Sequence, residues 1–175
     1  ADVIRFMIKK ASKISGGVDM KNGMNYPQLI SKYTMGAVLY HQACDNYLDE
    51  KMTASNKPND KPYKKGAYYT GKEHSWDEAF GYWGAAAHTM TLSAQQSYDV
   101  AKKKDLKAAD FNKDGVVDLY KEMTYGHAYY ASAFDRGGKT DYLKTVTKAF
   151  IDGRKIITNA TVSYTHLRAH ETRGN

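Results

Sequence analysis

The sequence predicts an all-α fold, a bundle of about five helices carrying one EF-hand-like calcium loop, and three observations support it. Apolar residues recur every three to four positions over most of the 175 residues. No run of alternating β-branched residues competes with that period. Gly, Pro and Asn gather between the periodic stretches, where turns are expected.

Residues 1–15 place Val3, Met7, Ile8, Ala11 and Ile14 on one helical face. Pro27 suits a first helical turn, and Ile30, Ala37, His41, Cys44 and Leu48 then recur along a second long helix. Residues 51–73 lose the period and collect Lys, Asn, Gly and two prolines, so a long exposed loop is expected there. A third helix opens with Ser75 and Glu78 as a capping box and continues along Phe80, Trp83, Ala87, Met90 and Ala94. Asp77, Gly81, Gly84 and His88 form a neighbouring strip, whose glycines suggest close approach of another backbone. Leu119, Met123, His127, Tyr130 and Phe134 mark a fourth helix that stops before Gly137 and Gly138, and residues 140–157 make a fifth.

The last fourteen residues, "VSYTHLRAHETRGN", break this pattern. Val162 to Thr172 resembles the conceptual translation of a transposase sequencing adaptor, with Arg173 to Asn175 as index bases, so native sequence is expected to end near Ala160. The start inside a helical pattern suggests a missing N-terminal part as well. Residues 1–160 are then one helical domain truncated at both ends, and 162–175 a non-native tail. The formal net charge is +7, and setting the tail aside leaves the chain basic. The lysines are spread over the loop and the helix ends and form no stripe of the kind that tracks nucleic acid. The single cysteine, Cys44, excludes an internal disulfide framework. No segment is apolar for long enough to span a membrane as a helix.

The densest chemistry lies in "DFNKDGVVDLYKE", residues 110–122. Asp110, Asn112 and Asp114 occupy positions 1, 3 and 5 of a D-x-N-x-D-G calcium loop, with Gly115 at the sharp turn, the carbonyl of Val116 at 7 and Asp118 at 9. Position 12 is Lys121, and the carboxylate expected there comes one residue later, at Glu122, so the exiting helix has to start in a shifted phase for Glu122 to close the site. Calcium is therefore the expected cofactor. The alternative is an acidic turn capping a helix. His41, His74, His88 and His127, with Asp77, Glu78 and Glu122, are the candidates for a transition metal, but no pair has diagnostic spacing. The fifteen tyrosines fit core-rim packing or a ligand groove. No nucleophile elbow, P-loop or dinucleotide fingerprint is present.

The stretch "YYTGKEHSWDEAFGYWGAA" resembles the hallmark YT-x-x-x-H-x-WDEAFGY-x-G of the bacterial domain of unknown function 4856 proteins, and the similarity extends over roughly residues 20–160. The resemblance makes His74, Trp76, Asp77, Glu78, Phe80, Gly81 and Tyr82 signature positions. It implies a longer exported protein or envelope lipoprotein, located in the periplasm or at the cell surface, with a membrane tie only through an N-terminal lipid anchor. A looser likeness to imelysin-like helical proteins, with their G-x-H-x-x-E motif, meets Gly71 three residues before His74 and Asp77 at the glutamate position. Two function classes follow. One is a calcium-stabilised binding module for a small ligand or envelope component, with the signature near its pocket and no nucleic acid partner. The other is a metal-dependent hydrolase using the His74, Asp77 and Glu78 region.

Overall fold

A computed structural model describes the backbone of residues 1–171 and the side chains of residues 1–160, so the adaptor-like stretch lies outside the described side chains. The molecule is mostly helical and divides into two compact units, residues 1–41 and 42–175.

In the first unit, helix α1 (Asp2–Ala11) carries Asp2 in its first turn and Lys9 and Lys10 in its last, the charge order that its dipole favours. It ends earlier than its apolar period suggests, because Ser15–Gly17 turns through Gly16 and Gly17, both at positive φ. Met7 is its buried residue while Val3 and Ile8 are exposed, so the inward face is rotated from the expected one. A short antiparallel hairpin, β1 (Val18–Asp19) with β2 (Met24–Asn25), pairs Val18 with Asn25 and Asp19 with Met24. Helix α2 (Tyr26–Tyr40) follows, its Asn25 side chain accepting from the Gln28 amide, with Pro27 in the first turn as expected. The expected stripe through Cys44 and Leu48 assumes one α-helical period, but His41–Glu50 is π-helical and buries Ala43 instead.

In the second unit, a single turn, α3 (Lys51–Thr53), precedes the long loop, which is fastened more tightly than its composition suggests. The Tyr63 amide donates to the Tyr69 carbonyl at 2.8 Å, the Gly71 amide to Pro58 at 3.1 Å, and Asn59 Nδ2 to the Ile157 carbonyl at 2.9 Å. Helix α4 (Gly71–Trp83) then starts four residues before the expected cap. Thr70 accepts from the Glu73 amide and Glu73 from the Thr70 amide, so the capping box is Thr70 with Glu73, and Ser75 is a buried residue whose hydroxyl donates to the Gly71 carbonyl.

Helix α4 also stops at Trp83, well short of the expected Ala94, because Gly84 is left-handed at φ 83°. A Cβ at Gly84 would stand 2.7 Å from the Tyr125 carbonyl oxygen, so the predicted close backbone approach occurs here as a helix stop. Gly81, the other glycine of that strip, has open space around it. The Tyr125 amide donates to the Gly84 carbonyl and the Ala87 amide to the Lys121 carbonyl, both at 2.7 Å, which ties residues 84–87 to 121–125. Residues 119–125 are thereby drawn out of any helix. The expected fourth helix starts only at α7 (Gly126–Asp135), after α5 (Ala94–Ala101, with a Ser93 and Gln96 capping box) and α6 (Leu106–Ala109). Leu119 and Phe134, expected to face inward, are exposed, and the buried face of α7 is Ala128, Ala131, Ser132 and Asp135. These small residues let α8 (Tyr142–Glu171) pack against α7. One apolar cluster joins Leu92, Val100, Ala109 and Met123, and a second joins Ala128, Ala131 and Leu143, with Trp83 packed against it.

Candidate functional site

The 110–122 loop sits between α6 and the extended 121–125 segment. Its oxygen side chains are wound inward on the loop's own amides. The Asp114 amide donates to Asp110 Oδ1 at 3.2 Å and to Asn112 Oδ1 at 3.0 Å, which brings those two oxygens to one donor. Asp110 Oδ2 accepts from Gly115 at 3.0 Å, and Asp114 Oδ1 from Val116 at 2.8 Å. Gly115 at φ 84° and Lys113 at φ 60° supply the sharp winding. No helix starts in shifted phase after the loop. Glu122 nevertheless returns to it: buried, it accepts from the Phe111 and Asn112 amides at Oε1 and from the Asp118 amide at Oε2. Lys121 turns to Asp118 at 3.3 Å. The Tyr120 amide, and after it the Lys121 ammonium, hold Asp118 below the usual carboxylate range, while its partial burial works the other way. Among the described residues no three His, Cys, Asp or Glu side chains converge closely enough to hold a metal. The loop's carboxylates face amides, and Val116 is exposed.

The signature residues divide between two faces of α4. Trp76 and Trp83, two turns apart, both donate to α8: the Trp76 indole to the Phe150 carbonyl at 2.8 Å and the Trp83 indole to Thr147 Oγ1 at 3.0 Å. Gly153 on α8 makes room for Trp76, since a Cβ there would lie 2.1 Å from Trp76 Cζ2. Phe80 and Trp76 each meet Phe150 edge-on, at 5.5 and 5.6 Å between centroids. Between them opens a cavity of about 270 Å³ walled by Trp76, Phe80, Phe150 and Ile151 and by the charged Asp77, Arg154 and Lys155. Arg154 bridges Asp77 at 2.8 Å and Glu73 at 2.5 Å. On the other face His74 packs at a tilt against Tyr63, with centroids 4.2 Å apart, stacks on Tyr69 at 5.6 Å and lies 3.6 Å from Glu78, while Tyr82 meets Tyr47 at 5.7 Å. Asp77 is thus held by Arg154, and His74 packs among tyrosines. Of the other histidines, His88 is buried, with Nε2 at 3.0 Å from the Ala108 carbonyl and its ring stacked on Phe111.

Glu73 is the residue that sequence reading passed over, although T-x-x-E precedes S-x-x-E in plain view. Burial raises its pKa, but the Thr70 amide, Thr158 hydroxyl and Arg154 guanidinium outweigh burial and leave it below the usual range. A depressed carboxylate contributes stability that is present above its unfolded pKa of about 4.3 and is lost as pH falls through the lowered folded value. Glu73→Ala should cost about 2 kcal/mol in urea titrations at pH 7, at the upper end of capping losses because Arg154 also loses a partner. Glu73→Gln should show a flatter acid limb below pH ~4 than the parent. Glu78→Ala, at a 40% exposed side chain with no capping role, should change stability by less than about 0.5 kcal/mol. A loss at Glu78 equal to that at Glu73 would overturn this assignment of the cap.

The missing half of the cavity had a sequence signal too: Gly153 in the middle of an otherwise periodic helix, which marks close packing as surely as Gly84 does. No match was found among curated proteins or among solved structures. A family described as Domain of unknown function (DUF4856) matches residues 16–171, a span that includes the WDEAFGY segment, the acidic loop and the helices that position them. The chain belongs to the DUF4856 family.

Proposed function

We propose that this protein is a calcium-stabilised helical binding module of the bacterial cell envelope, with the 110–122 loop as its cation clamp and the Trp76, Phe80 and Phe150 cavity as its ligand side. The observation that carries the clamp is the single Asp114 amide shared by Asp110 Oδ1 and Asn112 Oδ1, which preassembles the first two oxygens of a calcium loop around Gly115. Asp110, Asn112, Asp114, the Val116 carbonyl and Asp118 would hold the ion. Glu122, with three amide contacts on a carboxylate of about four acceptor sites, keeps capacity for one more partner. One such loop, braced by its own amides, fits a structural clamp better than a sensor that opens a groove. Export to the periplasm or cell surface goes with this reading and is supported by the signature's resemblance. The metal-dependent hydrolase has less support, since Arg154 occupies Asp77 and His74 packs against tyrosine rings.

Calcium should raise the melting temperature, with a Kd on the order of 10⁻⁴ to 10⁻³ M because Lys121 stands at the usual twelfth position. At ten times that Kd the gain is about 1.4 kcal/mol by mass action. Magnesium should do less, since it sheds its waters reluctantly. Asp110→Ala should abolish the response. Calorimetry showing no calcium binding at millimolar concentration would leave the loop as an acidic turn braced by Glu122.

A further inference from the structure

The hairpin between α1 and α2 turns through Met20, Lys21, Asn22 and Gly23, all of them exposed. Asn22 is followed by glycine, and no other asparagine of the chain is. Gly23 has no side chain to screen its amide nitrogen, and at φ 71° the space that a Cβ would enter is open, with nothing within 4 Å. Among the described residues that amide donates no hydrogen bond. The Asn22 carboxamide, by contrast, is held. Its Oδ1 accepts from the Met24 amide at 3.0 Å, which closes a local ring of atoms that contains both Asn22 Cγ and the Gly23 nitrogen. The same contact draws electron density from Cγ. A polarised carbonyl carbon therefore lies beside an unscreened, unpartnered amide nitrogen, on a turn that water and base reach freely.

We infer that Asn22 is a modification site, where spontaneous deamidation converts the hairpin irreversibly. The Gly23 nitrogen gives up its proton to base and bonds to Asn22 Cγ, and the Met24 amide stabilises the oxyanion that forms. The bond from Cγ to the side-chain nitrogen then breaks, ammonia leaves, and a succinimide remains. Water opens this ring at either carbonyl. Opening at one leaves aspartate, and opening at the other leaves isoaspartate, whose backbone runs through Cγ and is longer by one methylene. Water and base are the only reactants needed. Strands β1 and β2 have two residues each and pair Val18 with Asn25 and Asp19 with Met24, so an added backbone atom in the turn between them shifts or opens that register. Asn25, the cap of α2, ends the hairpin, so the change reaches the start of that helix. Asp114 and Asp152 also precede glycines, but a carboxylate resists attack by an amide nitrogen, and its closure and reopening leave the mass unchanged.

The test incubates the full chain at neutral and at mildly alkaline pH and maps its peptides by mass spectrometry over several weeks. The peptide that holds Asn22 should gain the mass that separates a hydroxyl from an amino group. Its rate should rise in proportion to hydroxide, because the attacking nitrogen must lose a proton. Fragmentation should place both isoaspartate and aspartate at residue 22, and every other asparagine should convert more slowly. Gly23→Ala, which sets a methyl beside the nitrogen, should slow the gain severalfold, and Asn22→Gln, whose closure needs a larger ring, should abolish it. Amide hydrogen exchange of the incubated protein should rise over residues 18–25 and in the first turn of α2. The inference is overturned if residue 22 of the parent keeps its amide at both pH values, if another asparagine converts first, or if either variant converts as fast as the parent. The first two outcomes need no variant, so a hairpin strained by alanine at φ 71° does not blur the result. Conversion with unchanged exchange would overturn the effect on the hairpin register.

Discussion

Asp135→Ala should destabilise the protein by about 4 kcal/mol. Asp135 ends α7, is buried, and accepts three hydrogen bonds: from Thr140 Oγ1 at 2.6 Å, the Tyr142 amide at 3.0 Å and the Leu143 amide at 2.7 Å. Two of these donors are first-turn amides of α8, so one carboxylate from the preceding helix acts as the cap of the next. Each bond to a charged acceptor contributes about 1.5 kcal/mol, and the Leu143 amide has no access to water as a substitute, since Leu143 is 1% exposed. Asp135→Asn keeps one acceptor oxygen and should lose about half as much. Urea unfolding of the two variants checks both magnitudes. If the alanine variant lost less than about 1 kcal/mol, the corner between α7 and α8 would have to be held by apolar packing alone.

Gly153→Ala should cost about 3 kcal/mol, against the usual gain of about 1 kcal/mol for glycine to alanine inside a helix. The new methyl would stand 2.1 Å from Trp76 Cζ2 and 2.5 Å from Cη2, so the indole has to leave its seat. Overpacking of this kind costs about 1–3 kcal/mol, and displacement also breaks the Trp76 bond to the Phe150 carbonyl, for about 1 kcal/mol more. The diagnostic is a change of sign. In a Trp76→Ala background the obstruction is gone, and Gly153→Ala should then stabilise by about 1 kcal/mol. A double-mutant cycle measured by denaturant titration reads this directly, and additive effects would mean that the tryptophan does not sit over Gly153. The same cycle bears on the cavity, since Trp76 and Phe150 form two of its walls.

By itself the sequence determined the helical class, the Pro27 start of α2, the break at Gly137 and Gly138, and the spacing of oxygens about Gly115. Each of these rests on residues within a turn or so of one another, where propensity and local hydrogen bonding act without help. Only the tertiary structure decided between Thr70 with Glu73 and Ser75 with Glu78 as the cap of α4. Both pairs satisfy the local rule, and the choice went to the pair whose glutamate also meets Arg154 and Thr158, more than eighty residues away. The end of α4 at Trp83 and the late start of α7 have the same origin. Helical period runs through both regions, but the pairing of Gly84 with Tyr125 and of Ala87 with Lys121 spends those backbone groups on each other, and an amide cannot donate to a distant segment and to its own helix at once. The signature cavity likewise needed α8: Trp76, Asp77 and Phe80 could be named from the motif, whereas Phe150, Gly153 and Arg154 join them only because two helices far apart in sequence pack side by side.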